Sequence, residues 1–267
     1  IEERVTIKNI VDMSGYSRRH LHSIFKEAVG ISIGRYIRRR KLCRAAHKLK
    51  LTALSLTEIA YSLEYDSQQS FSREFKKLFG LTPKTYRQRD VWDMSHLQKP
   101  IKVDREELPE VKLCYLPEYR LIGHEIEYRE PYLNIINGDD SLSRWELMKK
   151  SIHLYGRDIF LISRYSPSEE FYEEINVNTL IGSKYDEMLC ETYNKRLESD
   201  GLYAHFTYIG EWEDYTKISR HVYREVFPKM KLKRRKGNDV ERIQCPNYRN
   251  KSTKFVMKCD YYIPITK

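Results

Sequence analysis

The chain has 267 residues, 40% of them apolar, which predicts two folded domains rather than a disordered chain. The formal net charge is +10, and all of the excess lies in residues 1–90, with 19 Lys and Arg against 9 Asp and Glu. No apolar run is long enough to span a membrane, and a compact basic unit favours a polyanionic partner over a membrane surface.

Cysteine and histidine usage bounds the compartment and the chemistry. The five cysteines are widely spaced and form no C-x-x-C pair, so we expect reduced thiols in a cytoplasmic protein. The eight histidines show no clustering with cysteine, so we expect neither a metal nor a cofactor. The chain begins with Ile rather than Met and lacks signal-peptide features, so we expect part of the natural N-terminus to be absent.

The first predicted elements are two helices separated by a tight turn at Gly15, where a positive φ costs little. Residues with helical spacing in the first helix are Ile7, Ile10 and Val11. The second helix is predicted between Ser17, a favourable N-cap, and Gly30, a favourable C-terminal residue. Its expected buried residues are Leu21, Ile24 and Phe25.

The same pattern occurs a second time, because residues 25–32 recur as residues 75–82 with Phe, Lys and Gly at matching positions. The second pair is predicted to have its turn near Tyr65, an N-cap at Asp66 or Ser67, and an end at Gly80. Its expected buried residues are Leu56, Ile59, Ala60, Leu63, Phe71, Phe75 and Leu78. Thr82 and Pro83 then predict a short final helix.

A long helix is predicted between the two pairs, from residue 32 to about residue 50. At 1.5 Å per residue it would be roughly 27 Å long, close to the roughly 34 Å that separates successive major grooves. Its expected outer side is basic and includes Arg40. The resulting fold class is an all-α N-terminal domain of two helix-turn-helix units joined by one long helix.

Both second helices have polar outer faces suited to base edges, since Arg pairs with guanine and Gln with adenine. With Arg40, the predicted DNA-contacting residues are Arg18, Arg19, His22, Ser23, Lys26, Gln68, Gln69, Ser72, Arg73 and Lys76. A solvated polar face explains one such helix, but two copies within a unit of net charge +10 favour double-stranded DNA.

Residues 56–87 resemble the signature of the AraC/XylS family of transcription regulators, and the sequence Asp66-Ser67-Gln68-Gln69 is typical of its MarA/SoxS/Rob branch. The resemblance implies an activator that binds an asymmetric promoter element as a monomer and recruits RNA polymerase. It also implies base contacts from residues 68, 69, 72 and 73, which match the branch. In the second helix of the first pair, Arg19, His22 and Ser23 replace the Trp, Gln and Arg that are usual in this branch. The DNA sequence of the first half-site is therefore expected to differ from that of the branch.

Residues 91–108 are mixed in composition and are predicted to form a linker before an α+β domain at residues 109–267. After a strand at 111–116, the pattern predicts two βαββ modules. The first has strands at 121–128, 159–165 and 174–180 with a helix at 142–153; the second has strands at 202–208, 239–244 and 253–265 with a helix at 214–226.

This order of elements, together with residues 234–242, resembles a GyrI-like effector-binding domain, which in a Rob-like arrangement follows an AraC-type domain. The resemblance implies a cleft for an amphipathic or cationic small molecule, with Glu241 as its acidic group. A buried Glu241 would favour a cation or would need an internal partner such as Arg. Further predicted effector-binding residues are Tyr128, Trp145, Tyr165, Tyr203, Trp212 and Tyr262.

Two other functions remain open at this point. An architectural protein that bends DNA would use the same helix pairs without strong sequence preference. An enzyme in the second domain is not favoured, because no nucleophile–base pair or phosphate loop is recognisable. The basic run at residues 229–236 is predicted to be a solvated connection, with an additional contact to DNA or polymerase as the alternative.

Overall fold

A computed structural model describes residues 7–98, 101, 108–116, 118–137, 142–184, 194–197, 201–245 and 256–266. Within these residues, a helical N-terminal half is followed by a strand-rich C-terminal half. The helices of the first half are α1 (Ile7–Ser14), α2 (Arg18–Val29), α3 (Ile33–Leu51), α4 (Leu56–Ser62), α5 (Gln68–Phe79) and α6 (Pro83–Gln88).

Side-chain caps set where these helices begin. Ahead of α2 to α6, a Ser or Thr with extended backbone accepts a hydrogen bond from a backbone N–H in the first helical turn, which has no partner within the helix. The caps are Ser17, Ser32, Ser55, Ser67 and Thr82. The second helix of each pair ends at a left-handed glycine, Gly30 or Gly80.

The two turns use different residues for the same backbone conformation. Gly15 has φ +68° between α1 and α2, as predicted. Between α4 and α5 the positive φ, +62°, falls on Glu64, whose carboxylate accepts a hydrogen bond from Lys41 of α3. A non-glycine residue is costly there, and the second pair makes with Glu64 the turn that the first pair makes with glycine.

The core of the helical half lies around the second pair. Phe71, Phe75, Phe79 and Tyr86 are buried in contact with one another. By contrast, no residue of α1 or α2 is buried. The prediction that Ile24 is buried was therefore wrong, because Ile24 is 39% exposed, and Leu21 and Phe25 are only half-buried.

Helix α3 lacks a single apolar stripe because two of its sides are packed. One side contacts α2, α4, α5 and α6, and the other contacts strand β4 of the C-terminal half. Its buried residues are Ile33, Tyr36, Leu42, Cys43, Ala45, Ala46, Lys48 and Leu49. Helix α3 therefore lacks the fully basic outer side that was predicted. Of its arginines, only Arg35 and Arg38 are exposed.

The C-terminal half begins inside the predicted linker. Its elements are β1 (Trp92–Asp93), β2 (Lys112–Tyr115), β3 (Tyr119–Pro131), α7 (Tyr132–Asn137), α8 (Leu142–Tyr155), β4 (Asp158–Pro167), β5 (Glu174–Lys184), β6 (Asn194–Leu197), β7 (Leu202–Glu211), α9 (Trp212–His221), a π-helical turn (Val222–Val226), α10 (Phe227–Met230), β8 (Lys233–Arg234), β9 (Asp239–Gln244) and β10 (Val256–Thr266). Strand β1 lies in the predicted linker, and it pairs with β8, which lies in the basic run at residues 229–236. The linker and the basic run were both predicted to be unstructured connections, and these two predictions are therefore corrected.

One antiparallel sheet joins the two parts of this half. Strands β3, β5 and β4 are neighbours, as are β9, β10 and β7, and the pairing of β4 with β9 connects the two sets. Each set follows the order strand, helix, strand, strand along the chain. Met148 and Ile152 of α8 and Trp212 and Tyr215 of α9 pack with inward residues of the sheet in one buried cluster.

Candidate nucleic-acid interface and effector site

Most predicted contacts on α2 lie at its surface. Arg18, Arg19, Ser23 and Lys26 are exposed, and His22 is half-buried. The cap at Ser17 accepts a hydrogen bond from the backbone N–H of His20 at 3.3 Å, which fixes the first turn of the helix. Because α2 begins at this cap, its arginines lie in the first turn, where the backbone N–H groups add positive potential toward a phosphate.

Helix α5 has a comparable polar exposed face, and its opposite face is buried in the core. Gln69, Arg73 and Lys76 are exposed, while Gln68 and Ser72 are half-buried. The Gln68 side-chain oxygen accepts a hydrogen bond from the Thr57 hydroxyl of α4 at 3.0 Å. Thr57, in the first turn of α4, was not among the predicted residues, and its hydrogen bond orients the Gln68 side chain.

Arg40 is separate from this set. Its guanidinium donates to the backbone carbonyl of Gln98 at 2.8 Å, and the side chain is half-buried. Nearby, the backbone N–H of Gln98 donates to Cys43 Sγ at 3.0 Å. In this arrangement, Arg40 fastens residues 94–98 to α3 rather than facing outward with the residues of α2 and α5.

Glu241 lies at the centre of the sheet on the face covered by α8 and α9. In the strand register it stands between Leu161 and Tyr261, and it is 1% exposed. The Tyr215 hydroxyl donates a hydrogen bond to the Glu241 carboxylate, so an internal partner is present and it is a phenol. Glu241, Tyr215, Tyr261 and Trp212 are called the Glu241 site below.

A second buried acid lies two residues away on the same face. Asp239 accepts hydrogen bonds from Arg234 at 2.7 Å, from the Tyr261 hydroxyl at 2.7 Å and from the Tyr223 hydroxyl at 3.0 Å. Burial, and then the negative charge of Asp239, raise the pKa of both tyrosines. The tyrosines therefore remain neutral donors, and Arg234 supplies the charge that balances Asp239.

The predicted aromatic residues divide between the two faces of the sheet. Trp212 is buried on the face covered by α8 and α9, and its ring centre lies 5.8 Å from that of Tyr215. Tyr128 and Tyr165 lie together on the same face, in a smaller cluster. Tyr203 and Tyr262 lie on the opposite face, with Leu121 and Phe160, because side chains alternate along β7 and β10. Trp145 lies in α8, but its side chain is outside the described part of the structure.

Tyr215 and Tyr261, which are not in the predicted effector set, are neighbours of Glu241. The signal was available, because Tyr261 alternates with Met257, Cys259 and Ile263 on the inward face of β10. Choosing its neighbour Tyr262 reverses the direction of the side chain.

An open groove of about 960 Å³ runs between the two halves, from the end of α3 to the turn between β4 and β5. Its lining carries both charges, including Lys50, Arg87, Glu127 and Glu169. The cations are used internally, because Lys50 donates to the Arg89 carbonyl and Arg87 to the Leu49 carbonyl. Burial lowers the pKa of Lys50 to about 8.

Comparison with known proteins follows this division of the chain. Residues 10–89 match a helix-turn-helix domain family, and residues 109–266 match the GyrI-like small molecule binding domain family. The F1 operon positive regulatory protein of Yersinia pestis is 35% identical over 98% of this chain and 82% of its own length. The chain belongs to the AraC family of transcription regulators.

Two further relatives of this AraC-family regulator come from Escherichia coli (strain K12). The HTH-type transcriptional regulator YkgA is 36% identical over 76% of this chain and 84% of its own length. The Right origin-binding protein is 29% identical over all of this chain and 94% of its own length. The regulator thus combines a helix-turn-helix DNA-binding domain with a GyrI-like domain, called the effector half below.

Membrane and metal chemistry find no support in the described ranges. None of the helices there combines the length and the apolar character needed to cross a bilayer. Across the same residues, no three His, Cys, Asp or Glu side chains are grouped as metal ligands. The described cysteines, at positions 43, 114, 245 and 259, are free thiols, and Cys190 lies outside the described residues.

Proposed function

We propose that this AraC-family regulator is a transcription activator that binds an asymmetric promoter element as a monomer, with α2 and α5 in successive major grooves. Residues 1–90 would form the DNA-binding domain, and RNA polymerase would be the protein partner. The observation that supports this most is that α2 and α5 share the same cap, the same terminal glycine and an exposed polar face. The name of the Yersinia pestis relative, a positive regulatory protein, favours activation.

The connecting helix supports binding by a single molecule. Helix α3 has 19 residues, so it is about 28 Å long, and together with the widths of the attached helix pairs it would bring α2 and α5 close to the spacing of one DNA turn. On α5, Gln69 and Arg73 suit adenine and guanine edges, and Lys76 suits a phosphate.

The test is selection of preferred duplexes from a random pool, followed by measurement of stoichiometry. We expect two different half-sites about one helical turn apart, bound by one protein molecule, with affinity that falls steeply with salt. A palindromic site bound by two molecules would contradict the monomer. A ratio of specific to nonspecific affinity near one would indicate the architectural, DNA-bending role.

We also propose that the Glu241 site binds an amphipathic or cationic effector. A carboxylate hydrogen-bonded to Tyr215 and beside Tyr261, with Trp212 next to Tyr215, offers a charge and aromatic faces, the combination that recognises lipophilic cations. Tyr128 and Tyr165 lie on the same face and would extend the contact surface. Because Glu241 is 1% exposed and is hydrogen-bonded to Tyr215 of α9, we expect α9 to move when a ligand enters.

Tetraphenylphosphonium is a suitable probe, with tryptophan fluorescence as the signal because Trp212 lies beside Tyr215. We expect Glu241→Gln to weaken binding about tenfold or more, since it removes the negative charge of the Glu241 carboxylate while keeping the shape of the side chain. Glu127→Gln removes an equal charge from an exposed position and should leave binding unchanged. Equal affinity of the wild type and Glu241→Gln would exclude this site.

A further inference from the structure

A buried cation joins the connecting helix to the effector half. Lys48 of α3 is 4% exposed, and its ammonium group lies 3.2 Å from the Glu173 carboxylate and 5.1 Å from the centre of the Tyr132 ring. Most of the Glu173 side chain is exposed. Because burying an ammonium group is costly, an apolar side chain of similar length would hold the halves together at least as well. The charged pair therefore makes the contact between the halves depend on the relative positions of Lys48 and Glu173, rather than simply making it stronger.

Neighbouring positions of α3 face the same side. Leu51 packs against the cluster of Tyr132, Ile175 and Val177. One residue before Lys48, the His47 ring lies 5.6 Å from Trp92, the first residue of β1, which pairs with β8 of the effector half. The C-terminal part of α3 is thus held at several points by elements of the effector half.

A continuous set of contacts leads from Lys48 to the Glu241 site. Tyr132 is the first residue of α7, and its backbone N–H donates to the Glu173 carbonyl at 3.0 Å. Helix α7 contacts α9, and α9 carries Tyr215, which donates to Glu241. Movement of α9 to admit a ligand would therefore also disturb α7 and the residues that hold Lys48.

We propose that Lys48, Glu173 and Tyr132 form a latch that couples occupancy of the Glu241 site to the affinity of α2 and α5 for DNA. The latch rests on the proposed function, because it names the regulation of that same effector site. Helices α2 and α5 both contact α3, so a movement of α3 at Lys48 would affect how both helices bind their half-sites. Coupling is reciprocal, so DNA binding must in turn alter α7 and α9.

Hydrogen exchange of the full chain tests the latch without a known effector. Exchange is measured with and without the duplex selected from the random pool. We expect DNA to change amide exchange in α7 and α9 by about fivefold or more in the wild type, and we expect this change to disappear in Lys48→Met. Lys41→Met is the matched control: it removes a lysine of the same helix whose partner, Glu64, lies in the helical half, so the response should persist.

Glu173→Gln provides a second variant that leaves the core intact, because it alters a mostly exposed side chain, and it should also weaken the response. A wild type that binds the duplex specifically without changed exchange in α7 and α9 overturns the latch and leaves the DNA-binding proposal standing. Full retention of the response in Lys48→Met overturns it equally. If no duplex is preferred over a scrambled one, the proposed function fails, and the latch fails with it.

Discussion

Helices α2 and α5 begin and end alike but are anchored differently. Helix α5 buries Phe71, Phe75 and Phe79, with Phe75 stacked 4.5 Å from Phe79. Helix α2 buries no residue, and Phe25 meets the rest of the fold through Tyr36 of α3 at 5.5 Å. An embedded helix holds its side chains in place before DNA arrives, whereas a loosely anchored helix opens at a lower free energy and can adapt. The second half-site should therefore be read more strictly than the first.

Truncating an anchor should give the largest difference between the two helices. Phe75→Ala removes a fully buried ring and should lower the free energy of unfolding by about 3–5 kcal/mol. Phe25→Ala should cost only about 1–2 kcal/mol, because Phe25 is half-buried. Urea denaturation measures both values, and similar losses would show that α2 is as firmly anchored as α5.

Removing one arginine from each face compares the half-sites directly. Arg73→Ala should cost about 1–3 kcal/mol of binding free energy and relax preference at one base pair. Arg19→Ala should cost less, because a mobile α2 can shift to keep other contacts. Titration of the selected duplex measures both changes, with Lys217→Ala in the effector half as a control for net charge. Unchanged binding by Arg73→Ala would refute the assigned contact.

The two N-caps should differ in what their loss affects. Ser67→Ala should lower global stability by about 1 kcal/mol, because α5 is part of the core. Ser17→Ala should mainly accelerate amide exchange within α2, since that helix opens locally without global unfolding. Hydrogen exchange combined with denaturation separates the two cases. A global loss from Ser17→Ala as large as that from Ser67→Ala would contradict the comparison.

Acidification should destabilise α3, which contains His47 and contacts both α2 and α5. Loss of solvation at His47, and then the nearby positive charges of Arg224, Arg40 and Arg44, lower its pKa to about 3. Because the folded pKa lies below the unfolded value near 6.5, this contribution is complete above pH 6.5 and is lost as the pH falls from there toward 3. The loss should be at most about 1.4 kcal/mol per pH unit. His47→Gln should flatten the dependence in denaturation series, and an unchanged slope would exclude this cause.

Much of the helical half followed from local rules. Ser17, Gly30, Ser67 and Gly80 mark helix ends through hydrogen bonds made within a few residues, so the sequence alone could place them. The burial of Ile24 was wrong because it depends on what covers α2. Arg40 faces Gln98, which is 58 residues away in sequence, and no local pattern reports such a contact.

The effector half shows a different limit. Most of the long strands followed from alternation, although their bounds differ by up to four residues and β1, β6 and β8 were not predicted. Which of the neighbours Tyr261 and Tyr262 faces the helices depends on the face that the helices cover, and a shift of one residue reverses that face. The placement of Glu241 in the interior was expected from the family resemblance, whereas its bond to Tyr215 depends on how α9 lies across the sheet. The pairing of β1 with β8 joins segments 140 residues apart and was invisible to any local rule.

The pairing of β1 with β8 bears on how the molecule could be dissected. Met94, 1% exposed, and Leu97, 9% exposed, belong to the same buried core as Phe79 and Tyr86. The Tyr86 hydroxyl also donates to the Asp93 carbonyl at 3.1 Å. A DNA-binding fragment cut at residue 90 would lose these side chains and leave a hole beside α6, while the remaining fragment would keep β1 paired with β8 but expose Met94 and Leu97 to solvent. A cut beyond residue 98 would keep Met94 and Leu97 with α6 but would remove β1 from β8, so either cut breaks a contact that the two halves share.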